Sequence, residues 1–400
     1  MNKSCFLTAT VGILLGSSAI AGGFDNSYFP DDIFFGKSRI QGSISRTEIN
    51  AIGKLTEGGT TKTTNDIYVK KISPVGGIRY NINPSFSIVA QTHKPYRANT
   101  RYDTGFFNSV PTFSSLETQL DTLALGYKLP MSSGQISVIA GMNRFNGMGG
   151  FGTDVMSGGA SIGTVDVNDL KFKESYFPAF GLGYEIPDMA MRVSAMYYAE
   201  SKTTAKGIIS SSTSALAAAL AAIGTSIPTT GTSVHVDKMV ISPSRLHLHA
   251  QSGVHPKWLL LAGYIFAEWG RIPSLIVKKS SDDTTLSTQS LFNNNAHYFY
   301  GGLGHLFNKR TRLTSVFFWE PLRDEPLTGL RTPSRGGVSS ALFGASYDAT
   351  KHINIGLNYS FIHAAATRIE VAATATTPAQ SGVFPASNGH KFAASLAYQI

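Results

Sequence analysis

The lengths of the connections constrain this 400-residue chain more than any other feature. Fourteen stretches read as strands: near 32–49, 66–82, 85–97, 114–129, 135–145, 173–186, 190–203, 237–252, 257–269, 296–307, 311–321, 338–348, 352–364 and 389–400. Six of the connections are short: Asn81 to Pro84, Pro130 to Gly134, Pro187-Asp188, Gly253 to Pro256, Asn308 to Arg310 and Ala349 to Lys351. Each carries the Gly, Pro, Asn or Asp chemistry of a tight turn. Long connections, near 50–65, 98–113, 146–172, 204–236, 270–295, 322–337 and 365–388, alternate strictly with them. Short turns at one end and long loops at the other are the asymmetry of a transmembrane β-barrel, and an even strand number lets one antiparallel chain close on itself.

The strands carry the matching alternation. From Arg245 to Gln251, Leu246, Leu248 and Ala250 point one way, while Arg245, His247, His249 and Gln251 point the other. Successive strand residues face opposite sides, so this strand has an apolar face and a wet, basic face. Ile353, Ile355, Leu357, Tyr359 and Phe361 likewise separate from Asn354, Asn358 and Ser360, and Phe392, Ala394, Leu396, Tyr398 and Ile400 share one face. A soluble sandwich alternates too, so the bulk properties decide. Lys3, an apolar run from Cys5 to Leu15 and Ala19-Ile20-Ala21 read as a secretory signal cleaved near residue 21. No later apolar run reaches the roughly 18 residues of a membrane helix. Forty glycines, 11% aromatic residues and a mean hydropathy of +0.00 fit a barrel, which hides its hydrophobicity by alternation. The predicted architecture is all-β: signal 1–21, a short N-terminal segment 22–31 in place of a plug, and a fourteen-stranded antiparallel outer-membrane barrel over 32–400.

Cys5 leaves with the signal, so the mature chain has no disulfide and no thiolate metal site. The formal charge of +9 falls to +8 without Lys3 and points to solubility and contact with lipopolysaccharide, with no nucleic-acid role. Lys37, Arg39, Arg79, Arg192, Arg245 and Lys391 form a basic set on inward faces. They read either as a lumen network paired with Glu185 and Glu200, or as a site for a carboxylate, which guanidinium groups bind in a bidentate manner. Arg79, Arg192 and Arg245 are the head-group candidates. His247-x-His249 lacks a further metal ligand in sequence and reads as a hydrated lumen pair. Ala215 to Ile223 is a strong helix former of about ten residues. Leu216 and Leu220 on it are candidates for a greasy capture surface, with a packed surface helix as the alternative. Gly159-Ala-Ser161-Ile-Gly163 and Gly147-Met-Gly149-Gly-Phe-Gly152 match a nucleophile elbow and a dinucleotide fingerprint, but both need an α/β context that this chain does not offer. They read as a flexible glycine-rich loop. No catalysis, cofactor or metal is expected.

Several motifs resemble, in order, those of the outer-membrane long-chain fatty acid transporter family. The stretch SPSRLHLHAQSGVHPKWLLLAGYIFAEW from Ser242 to Trp269 resembles that family's hairpin, with its QxG-x-x-P turn and terminal Glu268-Trp269. Phe177 to Tyr184 with Ile186-Pro-Asp188, Phe318-Trp-Glu-Pro321, Ala341 to Tyr347 and Asn388-Gly-His390 are similar too. The resemblance spans roughly 67–400 and implies a monomeric fourteen-stranded barrel that passively moves hydrophobic compounds, long-chain fatty acids foremost. It also implies an N-terminal plug with Asn-Pro-Ala and a kinked third strand that opens the wall sideways. The plug motif is absent here, so the plug is expected to be reduced or missing. His93-Lys94-Pro95-Tyr96 is the counterpart of the kink, because a proline inside a strand removes a ladder donor. A general aqueous porin or a surface-adhesion barrel is the alternative reading.

Overall fold

The computed structural model describes residues 31–400 except 68–69, 103–110, 158–159, 223–226, 272–273, 291–293, 323–335 and 372–378. The expected signal and nearly all of the short N-terminal segment lie outside the described residues. Fourteen antiparallel strands form the wall. They are β1 (Arg39–Ile49), β2 (Lys71–Asn81), β3 (Phe86–His93), β4 (Pro111–Met131), β5 (Gly134–Ser157), β6 (Ala160–Ile186) and β7 (Met191–Tyr198). The second half comprises β8 (Arg245–His255), β9 (Trp258–Ala267), β10 (Ala296–Leu306), β11 (Thr311–Leu322), β12 (Gly336–Asp348), β13 (Ile353–Ala364) and β14 (Ser387–Gln399). Neighbours in sequence are neighbours in the wall, and β1 closes the cylinder by pairing with β14 from Arg39↔Gln399 to Ile49↔Gly389. The wall begins at Arg39, not at residue 32.

Alternation sets the outside. On β13, Ile355, Leu357 and Phe361 are exposed while Asn358, Ser360 and Ile362 are buried; on β14, Phe392, Leu396 and Tyr398 are exposed while Lys391, Ala393 and Ser395 are buried. A water-soluble chain would not leave Leu123, Leu125, Leu357 and Phe307 each more than 60% exposed; lipid is the solvent that such a surface requires. Aromatic rings edge this band near the short turns, where Phe86 meets Tyr127 at 4.8 Å and Trp258 meets His305 at 4.2 Å.

Much of what reads as long loop is strand. β4, β5 and β6 run for 21, 24 and 27 residues, about twice the 9–11 that cross a bilayer. Apart from residues 158–159, which lie outside the described residues, the predicted glycine-rich loop from Gly147 to Gly163 is the upper part of β5 and β6, so Gly147 to Gly152 and Ala160 to Gly163 of the two glycine motifs lie on strands. Glycine serves close approach there: a Cβ on Gly149 would sit 2.7 Å from the Ser115 carbonyl oxygen of β4. The extensions continue sideways through strands Ser201–Ser211, Thr232–Ser242, Ser274–Lys279 and Thr285–Ser290. Residues 203 and 237 therefore belong to this outer sheet and not to the wall strands predicted to contain them. A separate four-stranded sheet joins Lys54–Glu57 and Thr60–Thr63 to Thr367–Val371 and Gln380–Phe384. Helix α1 (Ser214–Ala222) packs on β6 and on Ser201–Ser211.

The interior has two characters. Inward side chains of β3 to β7, β9 and β10 form one apolar cluster that includes Val89, Leu120, Phe145, Phe177, Met196 and Tyr298. Those of β11 to β14 include Thr314, Ser340, Asn358, Ser360, Lys391 and Ser395. The expected basic lumen is not gathered on one side: Arg79, Arg192, Arg245 and Lys391 are buried on β2, β7, β8 and β14 of a largely apolar interior.

Candidate functional site: a stoppered, aromatic lumen beside a break in the wall

The chain enters the barrel through a 3₁₀ turn at Asp31–Phe34, and Ile33, Phe34 and Phe35 are at most 1% exposed. Glycines on two wall strands make room for them. A Cβ on Gly77 of β2 would lie 2.4 Å from Ile33 Cδ1, and one on Gly183 of β6 would lie 2.4 Å from Phe35 Cε1. Arginines hold the segment in place. Arg79 Nη1 donates to the Phe34 carbonyl and its Nε to Asn81 Oδ1 at 3.0 Å. Arg192 lies over the Phe35 ring at 5.1 Å and 4.0 Å from Glu185, itself bonded by Gln135 at 2.6 Å. A cation over a ring face is attracted by the ring quadrupole, more strongly when both are out of water. Packed inside the barrel near the short-turn end, this short segment has the position of a stopper.

The three head-group candidates are not brought together. Arg192 pairs in register with Gln251 of β8, and Arg245 lies six residues further along that strand, about 20 Å at the usual strand rise. Arg79 and Arg192 serve the stopper, whereas Arg245 stands near the long-loop end. There its guanidinium lies 4.7 Å from the Tyr96 ring centre and 5.6 Å from that of Trp269. Tyr96 and Trp269 meet edge to face at 5.1 Å, Phe145 flanks Tyr96 at 6.0 Å, and the Tyr96 hydroxyl shares a hydrogen bond of 2.8 Å with Ser242. His247 is buried beside Tyr198, ring centres 5.4 Å apart, and His93 lies in the same electrostatic neighbourhood. His249 contacts Tyr300 at 2.9 Å and Gln251 at 3.3 Å. Among the described residues no group of three potential ligands surrounds a metal position.

The ring of Tyr96 marks where the wall changes. β3 pairs with β4 as far as His93↔Leu120, and pairing resumes at Arg97↔Glu117 in the strand Arg97–Arg101. Three residues on one side, 94–96, oppose two on the other, 118–119, with the Thr118 N–H donating to the Tyr96 carbonyl at 3.1 Å, a bulge placed by Pro95, which has no N–H to donate. On the opposite flank, β2 pairs with β3 only up to Val75↔His93, and a backbone bond reappears at Arg101 N–H to Ile67 O, 2.9 Å. Among the described residues, side chains bridge the interval. Lys71 Nζ donates to the Arg97 carbonyl at 2.7 Å, and the Arg97 guanidinium donates to the Ile72 carbonyl. Outside this clasp, Glu117 accepts from Lys94 and pairs with Arg97 at 3.2 Å. The predicted single strand 85–97 is thus two strands with a slot between them and β2.

Other candidates fall elsewhere. Lys37 precedes β1 and is exposed. Glu200 sits at the rim, paired with Lys202 at 2.8 Å and Arg271 at 3.5 Å. Leu216 is fully buried and Leu220 packs partly against the apolar cluster, so α1 shows its alanines outward. Leu216 anchors the helix, while Leu220 stays half-buried at its edge. Ser161 donates to Asp154 on the neighbouring strand. Sequence reasoning missed the stopper and the Tyr96–Trp269 cage, since neither aromatic carries a local signal of the other.

No family model matches the chain, and no curated protein matches it in sequence. Solved structures do. A Pseudomonas aeruginosa FadL homologue superposes with a TM-score of 0.75 at 16% identity, over 97% of this chain and 98% of that one. The Ralstonia pickettii toluene transporter TbuX gives 0.62 at 14% identity, covering 97% of each, and the P. putida toluene transporter TodX gives 0.59 at 14%, covering 97% and 99%. With its closed wall, lipid-facing band and laterally interrupted third strand, the chain has the fourteen-stranded outer-membrane fold of these FadL-type and toluene-transporter barrels.

Proposed function

We propose that this barrel passively takes up hydrophobic molecules across the outer membrane, long-chain fatty acids being the class that its interior suits best. One observation carries the reading: Arg245, a cation caged by rings, lies directly over Tyr96, at the bulge beyond which β2 no longer pairs with the third strand. A carboxylate would bind the guanidinium fork, with His247 close by, while its chain displaces rings of the apolar cluster. Each methylene taken from water contributes about 0.8 kcal/mol. The stopper of Ile33 to Phe35 blocks the axial path, so the solute leaves sideways through the slot when the Lys71–Arg97 clasp opens. Arg79 and Arg192 act on this route by holding the stopper, and Leu216 by anchoring α1. The barrel works as a monomer, without catalysis, and is bathed in outer-membrane lipid and lipopolysaccharide.

The rings of Tyr96, Trp269 and Phe145, edge to face between Tyr96 and Trp269 and tilted between Tyr96 and Phe145, favour a second substrate class, small aromatic hydrocarbons, which the toluene transporters are named for. The test is uptake of labelled oleate and toluene by cells lacking their own transporter, with planar-bilayer conductance in parallel. Oleate uptake with low steady conductance supports the reading. Toluene uptake alone selects the second class, and large steady conductance would make this an aqueous porin.

A further inference from the structure

The outer wall carries a feature that uptake does not use. An apolar groove of about 730 Å³ crosses the lipid-facing side from β11 to β2, across the seam where the barrel closes. Ile44, Phe343 and Phe392 wall it, and the small residues Ala345 and Ala394 give it depth. The apolar wall rings are each more than half exposed, so the groove opens to the membrane and not to the lumen.

Its upper rim changes chemistry abruptly. Outward residues of β1 run Ile40, Ile44, then Arg46 and Glu48; those of β14 run Tyr398, Leu396, Phe392, then His390. The apolar stretch from Phe392 to Ile400 has the nine residues that cross a bilayer. The switch therefore falls at the membrane surface on the long-loop side, the outer leaflet. In register, Arg46 faces Phe392 and Glu48 faces His390. Arg46 pairs with Glu48 at 2.5 Å and Lys70 pairs with it at 3.2 Å, and both cations stay more than half exposed. Arg46 and Lys70 against Glu48 leave one positive charge (2 − 1). Tyr359, which also lines the groove, holds His390 Nδ1 at 2.8 Å. With that hydroxyl donating, the exposed imidazole bears its proton on Nε2, a further donor.

We propose that this groove is a docking site for a phosphorylated, multiply acylated lipid of the outer leaflet. One acyl chain lies between Phe343 and Phe392, and a phosphate is bound by Arg46, Lys70 and His390. The inference rests on the outer-membrane placement and not on the uptake reading. Charge complementarity selects the occupant: a transported hydrocarbon has no group for the cationic rim, and a bare fatty acid brings one singly charged carboxylate where Arg46, Lys70 and His390 present three donors to the more highly charged phosphate.

The wall contains its own control. Tyr264, Phe266, His297 and Phe299 on β9 and β10 repeat the ring arrangement of Tyr359, Phe361, His390 and Phe392, with Tyr264 to His297 Nδ1 at 2.7 Å. In that copy the ring of Phe299 faces Trp319, where Phe392 faces Arg46. One site is expected, not two.

The test is native mass spectrometry of the full purified barrel incubated with bis-phosphorylated lipid A, with the same lipid dephosphorylated, and with oleate. The expected result is one retained lipid A per barrel, retention reduced at least tenfold by dephosphorylation, by R46Q/K70Q and by the groove-filling A394F, and unaffected by H297A. These side chains face outward, so folding is checked by heat-modifiable mobility before each measurement. If A394F alone misfolds, A345L replaces it. Equal retention by R46Q/K70Q, equal retention of the dephosphorylated lipid, or displacement of lipid A by equimolar oleate would overturn the proposal.

Discussion

Lys71 of β2 donates a hydrogen bond from its ammonium group to the carbonyl of Arg97 across an interval of the wall that, among the described residues, no backbone ladder bond spans, and the Arg97 guanidinium answers by bonding the carbonyl of Ile72. The wall is thereby closed by two long, flexible side chains in place of a rigid ladder. Hydrogen bonds to charged groups contribute about 1.5–3 kcal/mol each, enough to hold a slot shut and few enough to release it.

The double variant K71M/R97M should therefore leak sideways. Uptake of a lipophilic probe into proteoliposomes is expected to rise several-fold, with the heat-modifiable mobility of a folded barrel retained. Unchanged uptake from a folded double variant would remove the slot as an exit.

The stopper is held by glycines as much as by arginines. In G77A and G183A the new methyl meets Ile33 or Phe35 at 2.4 Å. The side chains touched can swing away, so the wall should survive while the segment is displaced. The combined variant is expected to show raised ion conductance in planar bilayers and faster proteolysis ahead of Arg39. A conductance equal to that of the parent would mean that Ile33 to Phe35 do not seal the lumen.

Above the membrane, the sheet of Thr232–Ser242 and Ser274–Lys279 carries a titratable link. Lys278 Nζ lies 2.5 Å from Asp237, and its hydrogen bond holds the Asp237 carboxyl below the ordinary 3.8, while the same bond raises Lys278 above 10.5. A carboxyl depressed in the folded state adds stability above its unfolded pKa and loses it as pH falls through the folded value. A raised lysine adds stability below its unfolded pKa and loses it as pH climbs through the folded one. Hydrogen-exchange protection at Val234 to Val236 should accordingly be flat from about pH 5 to 9 and drop below pH 4. In D237N the acid drop should disappear; its persistence would place the titration on another group.

How much of this was legible in the sequence follows from the range of each signal. Wall strands announced themselves because period-two alternation and tight turns are local: the side assignment of Arg245 to Gln251 came out as read, as did that of Ile355 to Phe361. In sequence the strand Gly134–Ser157 reads too short because its upper half is rich in glycine, a loop signal unless a neighbouring backbone presses against it, as Ser115 does at Gly149. Arg79, Arg192 and Arg245 were rightly placed inward, yet inward says nothing of height, and about 20 Å of strand separates Arg245 from the level of Arg192. The stopper was invisible for a different reason. Ile33, Phe34 and Phe35 form an apolar run that only three-dimensional closure of the wall can surround.

That separation makes Arg245 a sharper experiment than the three arginines together. Replacing Arg79 or Arg192 disturbs the stopper, so a changed uptake would not report on head-group binding. Arg245 has its own environment, stacked on Tyr96 and Trp269. In R245M the apolar cage persists while the guanidinium fork is lost. If a fatty-acid carboxylate binds there, oleate affinity should fall by about tenfold to a hundredfold, the equivalent of one charge-assisted bond of 1.5–3 kcal/mol, and toluene uptake should hold steady. R245K keeps the charge without the fork and should recover part of the loss, since a point charge binds a carboxylate less well than paired donors do. Measured by isothermal titration with oleate and by whole-cell toluene uptake, equal losses for both solutes would mean that Arg245 stiffens the rings and does not read the head group. No loss for either would place the binding site elsewhere in the lumen.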